Sequence, residues 1–167
     1  MKRAKFWDYN RDGTYFVTLV MSNRHNFFGR VFKKEVELSA AGRIVNQVWK
    51  EMEEQYRFVR LDEFVVMPDH FHAILKLELT KLCYFMVENR VLEKNGGVTG
   101  EKNPMLYFGL STVIRWFKGR TTYELRKLHP NFKWLKGYHD RIVRDERALK
   151  TIRRYIRNNP RKWKKGT

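Results

Sequence analysis

Two histidines in the middle of the chain are spaced so that both could bind one metal ion. His70 and His72 are separated only by Phe71, in a β-branched and apolar stretch typical of a strand. Alternate side chains of a strand share a face, so the two imidazoles would point the same way with Cα atoms about 6 to 7 Å apart. That separation lets them converge on a divalent cation. The alternative is a pair of structural strand histidines.

The surrounding residues indicate which metal such a pair would take. No third imidazole or thiolate lies nearby in a zinc-binding pattern, and the whole chain has one cysteine. Mixed nitrogen and oxygen ligands with open positions suit Mg²⁺ or Mn²⁺. Phe71 and Ala73 on the opposite face are apolar, so we expect the histidines to point away from the core. Their face is then an open surface unless another layer covers it.

A tyrosine near the end of the sequence could act as a nucleophile. Tyr155 lies among Arg153, Arg154 and Arg157. A phenol has a pKa of about 10, so it needs positive charge or a metal to favour the phenolate. Arginines also bind phosphate through paired hydrogen bonds. On a helix, Asn159 would share a face with Tyr155 and could turn its amide oxygen towards the same target. The alternative is a tyrosine packed on the core within a basic, solvated face.

The charge balance indicates a polyanionic partner. The 167 residues include 35 Lys and Arg against 18 Asp and Glu, a formal net charge of +17. Such a field attracts nucleic acid, although a basic solubility surface or a ribosome-associated protein would carry the same charge. One cysteine excludes an internal disulfide framework. No signal peptide or membrane span is recognisable, so we expect a cytoplasmic protein with no membrane partner.

Hydrophobic periodicity predicts the elements that would position these residues. In the first half we expect a strand at 14–21, a basic loop at 24–34, a helix at 41–52 capped by Ser39, and strands at 61–67 and 70–77. In the second half we expect a helix from 110 to 125, a strand within 132–143, and a helix from Asp145 through Arg157 that Pro160 stops soon after. Between the halves, 79–107 is predicted to be a mobile, substrate-contacting loop.

The order of these elements predicts the fold class. The series β-α-β-β-α-β-α over 1–167 is typical of a single α+β domain with a ferredoxin-like split β-α-β sandwich. We expect an antiparallel sheet of four to five strands, helices on one face, and an added C-terminal helix.

Several stretches together resemble a known family of DNA enzymes. Residues 65–72, Val-Val-Met-Pro-Asp-His-Phe-His, resemble the histidine-hydrophobic-histidine (HUH) strand of the single-tyrosine transposases. Residues 155–160, Tyr-Ile-Arg-Asn-Asn-Pro, resemble the tyrosine helix of their REP-associated branch. Residues 13–18, with Arg24 after them, and residues 138–144 agree with that branch in the same order. Relatives often have Asn at the position of Asp69, a turn residue where we expect the difference to matter little.

The resemblance implies a DNA transposase-like endonuclease. In that family His70, His72 and Asn159 would bind the divalent metal, and Tyr155 would attack the scissile phosphate to form a 5′-phosphotyrosine linkage and a free 3′-hydroxyl. Because the covalent adduct keeps the bond energy, a second 3′-hydroxyl could reverse the step and rejoin the strand without ATP. The substrates would be single-stranded or hairpin DNA, and the protein would be associated with the nucleoid of a prokaryote when bound to DNA.

The residues expected to contact DNA are basic and flank the predicted elements. They are Arg24, Arg115, Lys118, Arg153, Arg154 and Arg157. Two other functions remain open: a non-catalytic basic module of the same fold that binds nucleic acid, and a metal-dependent phosphohydrolase that activates water. The oligomeric state, monomer or homodimer, is left open too.

Overall fold

The computed structural model of the protein describes residues 9, 11–22, 26–79 and 109–163. The strands are β1 (Gly13–Val20), β2 (Gly29–Phe32), β3 (Glu35–Leu38), β4 (Val59–Val66), β5 (His70–Leu77) and β6 (His139–Val143). The helices are α1 (Ala40–Lys50), α2 (Met52–Gln55), α3 (Leu110–Leu128) and α4 (Glu146–Lys162).

The main sheet has four antiparallel strands in the order β4-β5-β1-β6. This is the strand order of a ferredoxin-like split β-α-β fold with α4 added at its end, so the predicted α+β fold class is confirmed. The two central strands, β1 and β5, pair along their whole length, with Val20 opposite His70 and Thr18 opposite His72. The histidine strand is therefore fixed on both sides by neighbours, β4 and β1.

Alternation along the central strands separates two hydrophobic clusters. Tyr15, Val17 and Leu19 of β1 are buried in the main core, together with Phe71 and Leu75 of β5. This core lies between the sheet and the helices α1 and α3, whose rings Trp49 and Phe117 pack on Phe71 at centroid distances of 4.8 and 5.3 Å. The opposite side of the same strands carries the histidines, as the period of two requires.

Helix α4 covers the histidine-bearing face of the sheet. Its Ile152 and Ile156 form a small second cluster with Ile74 of β5 and Val143 of β6. The histidines thus face away from the main core as predicted, but their face is covered rather than open, and only 6% of the surface of His72 is exposed. How closely the last helix lies on the sheet depends on tertiary packing, which hydrophobic periodicity does not predict.

The predicted helix starts are confirmed, and one predicted helix end is wrong. The Ser39 hydroxyl accepts a hydrogen bond from the Gly42 amide at 3.1 Å, and the Asp145 carboxylate accepts one from the Ala148 amide at 2.7 Å. Helix α4 continues through Pro160 to Lys162 instead of stopping before it. A proline near the end of a helix removes one amide donor, and few turns remain to be disrupted.

A second correction concerns the predicted basic loop at 24–34. Strands β2 and β3 pair there as a separate two-stranded hairpin. Its turn residues, Lys33 and Lys34, have φ values of 47° and 68°. Such a turn usually contains Asn or Gly, so the two lysines gave no hairpin signal.

Arg24 lies outside the described residues, as does the predicted loop at 79–107 beyond Leu79. None of the helices in the described ranges has the length and apolar character needed to cross a bilayer.

Candidate active site

Helix α4 places Tyr155 directly over the second histidine. The phenol oxygen of Tyr155 is 3.3 Å from Nε2 of His72, and their ring centroids are 5.3 Å apart. The tyrosine side is open to solvent, with 45% of its surface exposed, whereas the histidine is buried. Both residues belong to the same chain, so these two predicted site residues meet without a second subunit.

The imidazole of His72 is held by strand β1. Its Nδ1 lies 2.8 Å from the hydroxyl oxygen of Thr18, its cross-strand partner. Burial, and to a smaller degree the nearby charge of His70, lowers the pKa of His72 to about 3. The ring is therefore neutral at pH 7. When Nδ1–H donates to Thr18, the lone pair of Nε2 points towards Tyr155.

The first histidine has a similar arrangement. Nδ1 of His70 lies 2.5 Å from a carboxylate oxygen of Asp69, and the two imidazole centroids are 4.6 Å apart. In each histidine, Nδ1 lies within hydrogen-bond distance of an oxygen atom of the protein. The Nε2 atoms of both rings therefore remain as the positions that could bind a metal. Thr18 and Asp69 are functional candidates that the sequence reasoning missed. For Asp69 the available sequence signal was its turn position directly before His70.

The donor set suits a divalent cation. Metal-binding histidines commonly hold their second ring nitrogen on a carboxylate or another oxygen, which fixes the tautomer and the ring orientation. Within the described ranges, no three His, Cys, Asp or Glu side chains form a metal-binding group. A metal at this pair would therefore need another oxygen ligand. Two imidazole nitrogens with oxygen ligands match the preferences of Mg²⁺ or Mn²⁺ better than those of zinc.

Asn159 lies one turn after Tyr155 on α4 and therefore shares a helix face with it. Tyr155, one turn before it, contacts His72, and Trp163, one turn after it, has its ring centroid 5.6 Å from that of His70. Residues four apart share a helix face. Asn159, which is partly buried, is therefore bracketed by two residues that contact the pair, and its amide oxygen is a candidate third ligand.

An aromatic residue of β1 supports both rings of the site. Phe16 stacks on His72 with a centroid distance of 5.4 Å and an interplanar angle of 27°. It also meets Tyr155 edge to face at 6.0 Å. Because Phe16 and Thr18 are two residues apart on the same face of a central strand, β1 fixes the imidazole by a ring contact and by a hydrogen bond.

The three arginines around Tyr155 are used differently. Arg153 forms a two-pronged ion pair with both carboxylate oxygens of Asp62 of β4, and Arg157 donates through two nitrogens to a single carboxylate oxygen of Glu63 on the same strand. Arg154 is exposed. The expectation that all three would meet a DNA phosphate stays a prediction, but two of the guanidinium groups are engaged with carboxylates in this structure.

A basic groove lies on the other side of the sheet, between α3 and the segment that leads into β6. Its volume is about 1210 Å³. Tyr123 at its rim is 62% exposed. Lys118 donates hydrogen bonds of 2.8 Å to the carbonyls of Leu135 and Gly137, and burial lowers its pKa. No carboxylate is among the described residues lining the groove, whose cations are Arg115, Lys118, Arg126, Lys127, Lys133 and Lys136.

The segment that forms one wall of this groove is hydrogen-bonded to the end of β1. The Leu135 amide donates a hydrogen bond of 2.8 Å to the carbonyl of Val20, the residue that lies opposite His70 in the sheet. Two strand spacings, roughly 10 Å, therefore separate the groove segment from the histidine strand.

Comparison with known proteins finds similarity both in sequence and in structure. No family model matches the chain. An uncharacterized protein of Haemophilus influenzae is 30% identical over 164 residues, which cover 96% of this chain and 87% of that protein.

One structural relative is a REP-associated tyrosine transposase solved bound to a REP hairpin. It superimposes with a TM-score of 0.62 at 17% identity, over 97% of this chain and 73% of that one. The resemblance seen in the sequence is thereby confirmed at the level of the fold. The chain belongs to one family with the Haemophilus influenzae protein, and its fold is that of the REP-associated tyrosine transposases.

Proposed function

We propose that this protein is a transposase-like DNA enzyme that cuts and rejoins single-stranded DNA through a covalent bond to Tyr155. The contact of 3.3 Å between the phenol oxygen of Tyr155 and Nε2 of His72 carries this proposal. It combines an exposed nucleophile with a buried, neutral imidazole in one chain, and a neutral imidazole is the form that binds a metal.

In the proposed reaction the phenol oxygen of Tyr155 attacks the scissile phosphorus. The new bond is a 5′-phosphotyrosine ester, the bond to the 3′-oxygen breaks, and that oxygen leaves as a free 3′-hydroxyl after taking up a proton. A divalent ion held by His70, His72 and Asn159 would polarise the phosphate and stabilise the developing charge. Because the ester keeps the energy of the broken bond, attack by a 3′-hydroxyl reverses the step without ATP.

The phenol proton has to leave Tyr155 before or during the attack. His72 is a poor acceptor for it, since its pKa is held at about 3 and its Nε2 is the proposed metal ligand. The exposed side of the tyrosine gives the proton a direct route to water. Phe16 and His72 fix the ring from the other side, so the phenol is held for attack and does not turn freely.

We assign binding of the DNA backbone to the basic groove, with Arg115 and Lys118 among its residues and Arg154 near the site itself. Many weak phosphate contacts of this kind position a nucleic acid without reading its sequence. Tyr123 offers an exposed ring for base stacking. The structural relative was solved with a hairpin, and we propose single-stranded or hairpin DNA as the partner here. We also propose that the protein is cytoplasmic and is associated with the nucleoid when it is bound to DNA.

The direct test is a search for the covalent intermediate. The protein is incubated with labelled hairpin DNA that carries single-stranded flanks, in the presence of Mn²⁺, and then denatured. We expect a DNA-linked protein band that is absent with Tyr155→Phe and present with the control Tyr138→Phe. Cleavage without an adduct would identify a hydrolase, and binding without cleavage would identify a non-catalytic nucleic-acid-binding module. Either result would overturn the proposal.

A further inference from the structure

We propose that Asp62 and Glu63 are positioning residues for Tyr155: through ion pairs with Arg153 and Arg157 they fix the rotation of α4 about its axis. This inference rests on the proposed function, because it assigns the two ion pairs a purpose in presenting the nucleophile. The arginines then belong to the positioning of the helix and are not primarily DNA contacts.

An irregularity in β4 brings the two carboxylates to the same helix. Leu61 is opposite Leu75 and Phe64 is opposite Ala73, so three steps on β4 match two steps on β5. The extra residue is a β-bulge at Asp62 and Glu63. Consecutive residues of a regular strand point to opposite faces, and a bulge re-aims one of them. Both carboxylates therefore reach α4.

The contacts have a defined geometry. Nε and Nη2 of Arg153 donate to the two carboxylate oxygens of Asp62 at 2.8 and 2.5 Å, the paired arrangement that is the most directional for arginine. Nε of Arg157 donates to Glu63 at 2.9 Å, and its Nη2 contacts the same oxygen. The hydrogen bond from Arg153 lowers the pKa of Asp62, in agreement with this pairing. The two ion pairs, of which only Arg153–Asp62 has this paired geometry, lie one helical turn apart and restrain the helix at two points along its axis.

The arrangement of residues around α4 links these pairs to the nucleophile. Ile152 and Ile156 face the sheet. At 100° per residue, Arg153 and Arg157 lie on one flank of that line and Tyr155 lies on the other. Rotation of the helix about its isoleucine contacts would therefore move the arginines and the phenol in opposite directions relative to the sheet. Either direction of rotation changes the distance from the phenol to His72. The ion pairs oppose that rotation.

The cost of losing this restraint is expected in the rate of the chemical step. A displacement of about 1 Å at a reacting group can reduce a rate about 100-fold, even when the altered residue is remote from the reacting atoms. The two pairs lie at the surface, where ion pairs contribute little to global stability. Positioning and stability are therefore separable by experiment.

The experiment compares the unaltered protein with the double variant Asp62→Asn, Glu63→Gln. These substitutions remove both charges and keep the side-chain shapes. We expect adduct formation at saturating hairpin DNA to slow 10- to 100-fold, with the DNA dissociation constant and the melting temperature nearly unchanged. Glu37→Gln is the matched control, because it breaks the exposed Arg30–Glu37 pair of 2.7 Å on the β2–β3 hairpin. A reversed pair, Asp62→Arg with Arg153→Asp, should recover part of the rate lost in Asp62→Arg alone.

The outcomes separate this inference from the proposed function. If the unaltered protein forms no adduct, the proposed function fails first. If it forms the adduct and the double variant does so at the same rate, the positioning role is wrong while the function stands. A lower DNA affinity with an unchanged rate at saturation would also overturn the inference, because the carboxylates would then act on DNA binding.

Discussion

The phenol oxygen of Tyr155 and Nε2 of His72 lie 3.3 Å apart although 83 positions separate the residues in sequence. The histidine belongs to a central strand and the tyrosine to the last described helix, so the contact forms only when α4 is laid on the sheet. Phe16 touches both rings and completes the arrangement. Several measurable consequences depend on this contact.

Removal of the buried imidazole should abolish cleavage and spare most DNA binding. In His72→Ala the metal pair is lost, while the phosphate contacts of the groove remain. We expect no detectable adduct and a DNA dissociation constant within a few-fold of that of the unaltered protein. Chelation of divalent metals should have the same two effects. His139→Ala, an exposed histidine of β6, is the control, and an adduct made by His72→Ala would contradict the metal assignment.

The hydroxyl of Thr18 should matter through the tautomer of His72. Thr18→Val keeps the shape but removes the 2.8 Å contact with Nδ1. Loss of such an outer partner typically weakens metal binding or activity 10- to 100-fold. We expect the Mn²⁺ concentration needed for half-maximal cleavage to rise by that order. Thr14→Val, at a position on the same face of β1, provides the comparison; equal effects in both variants would refute the tautomer argument.

The stability of the metal-free protein should fall as the pH drops below about 6.5. Burial lowers the pKa of His72 to about 3 in the folded state, while the unfolded chain keeps the ordinary value near 6.5. Between these values the unfolded state binds the extra proton, so the free energy of unfolding decreases by about 1.4 kcal/mol per pH unit. Urea titrations at pH 7 and pH 5 measure this loss. The slope should be smaller in His72→Gln, and identical slopes would show that the imidazole is not buried as described.

Groove cations should control the salt dependence of DNA binding. Each phosphate contact on duplex DNA contributes about 0.9 to the slope of log K against log salt concentration. Arg115→Ala combined with Lys136→Ala should therefore lower the slope by up to about 2, and leave the cleavage rate at saturating DNA unchanged. The same pair of changes at Arg43 and Lys50, exposed residues of α1 outside the groove, should affect the slope less. A slope that does not respond would place the DNA elsewhere.

The sequence predicted the main sheet better than the elements around it. The strand from His70 to Leu77 has the predicted bounds, since its apolar run and the turn before it are local signals. The meeting of Tyr155 with His72 followed from family resemblance and not from spacing, because a contact between remote elements depends on the whole topology. The roles of the two histidines, Asn159 and Tyr155 stay predictions.

Features set by tertiary structure could not be predicted in this way. The bulge that turns Asp62 and Glu63 towards α4 depends on the register of a neighbouring strand. The β2–β3 turn uses two lysines where a turn signal would require Asn or Gly. Pro160 marks the usual end of a helix, but α4 continues to Lys162, because a proline so near the end removes one amide donor and few turns remain to be disrupted.

The two halves of the site are anchored with unequal strength. His70 and His72 lie on a strand hydrogen-bonded on both edges and backed by the main core, whereas Tyr155 lies on a helix seated on a small apolar cluster and two surface ion pairs. Detachment of that helix exposes less apolar surface than opening the sheet, and so requires less free energy. The phenol is thus the component of the site whose displacement requires less free energy, while the imidazoles are held by the sheet.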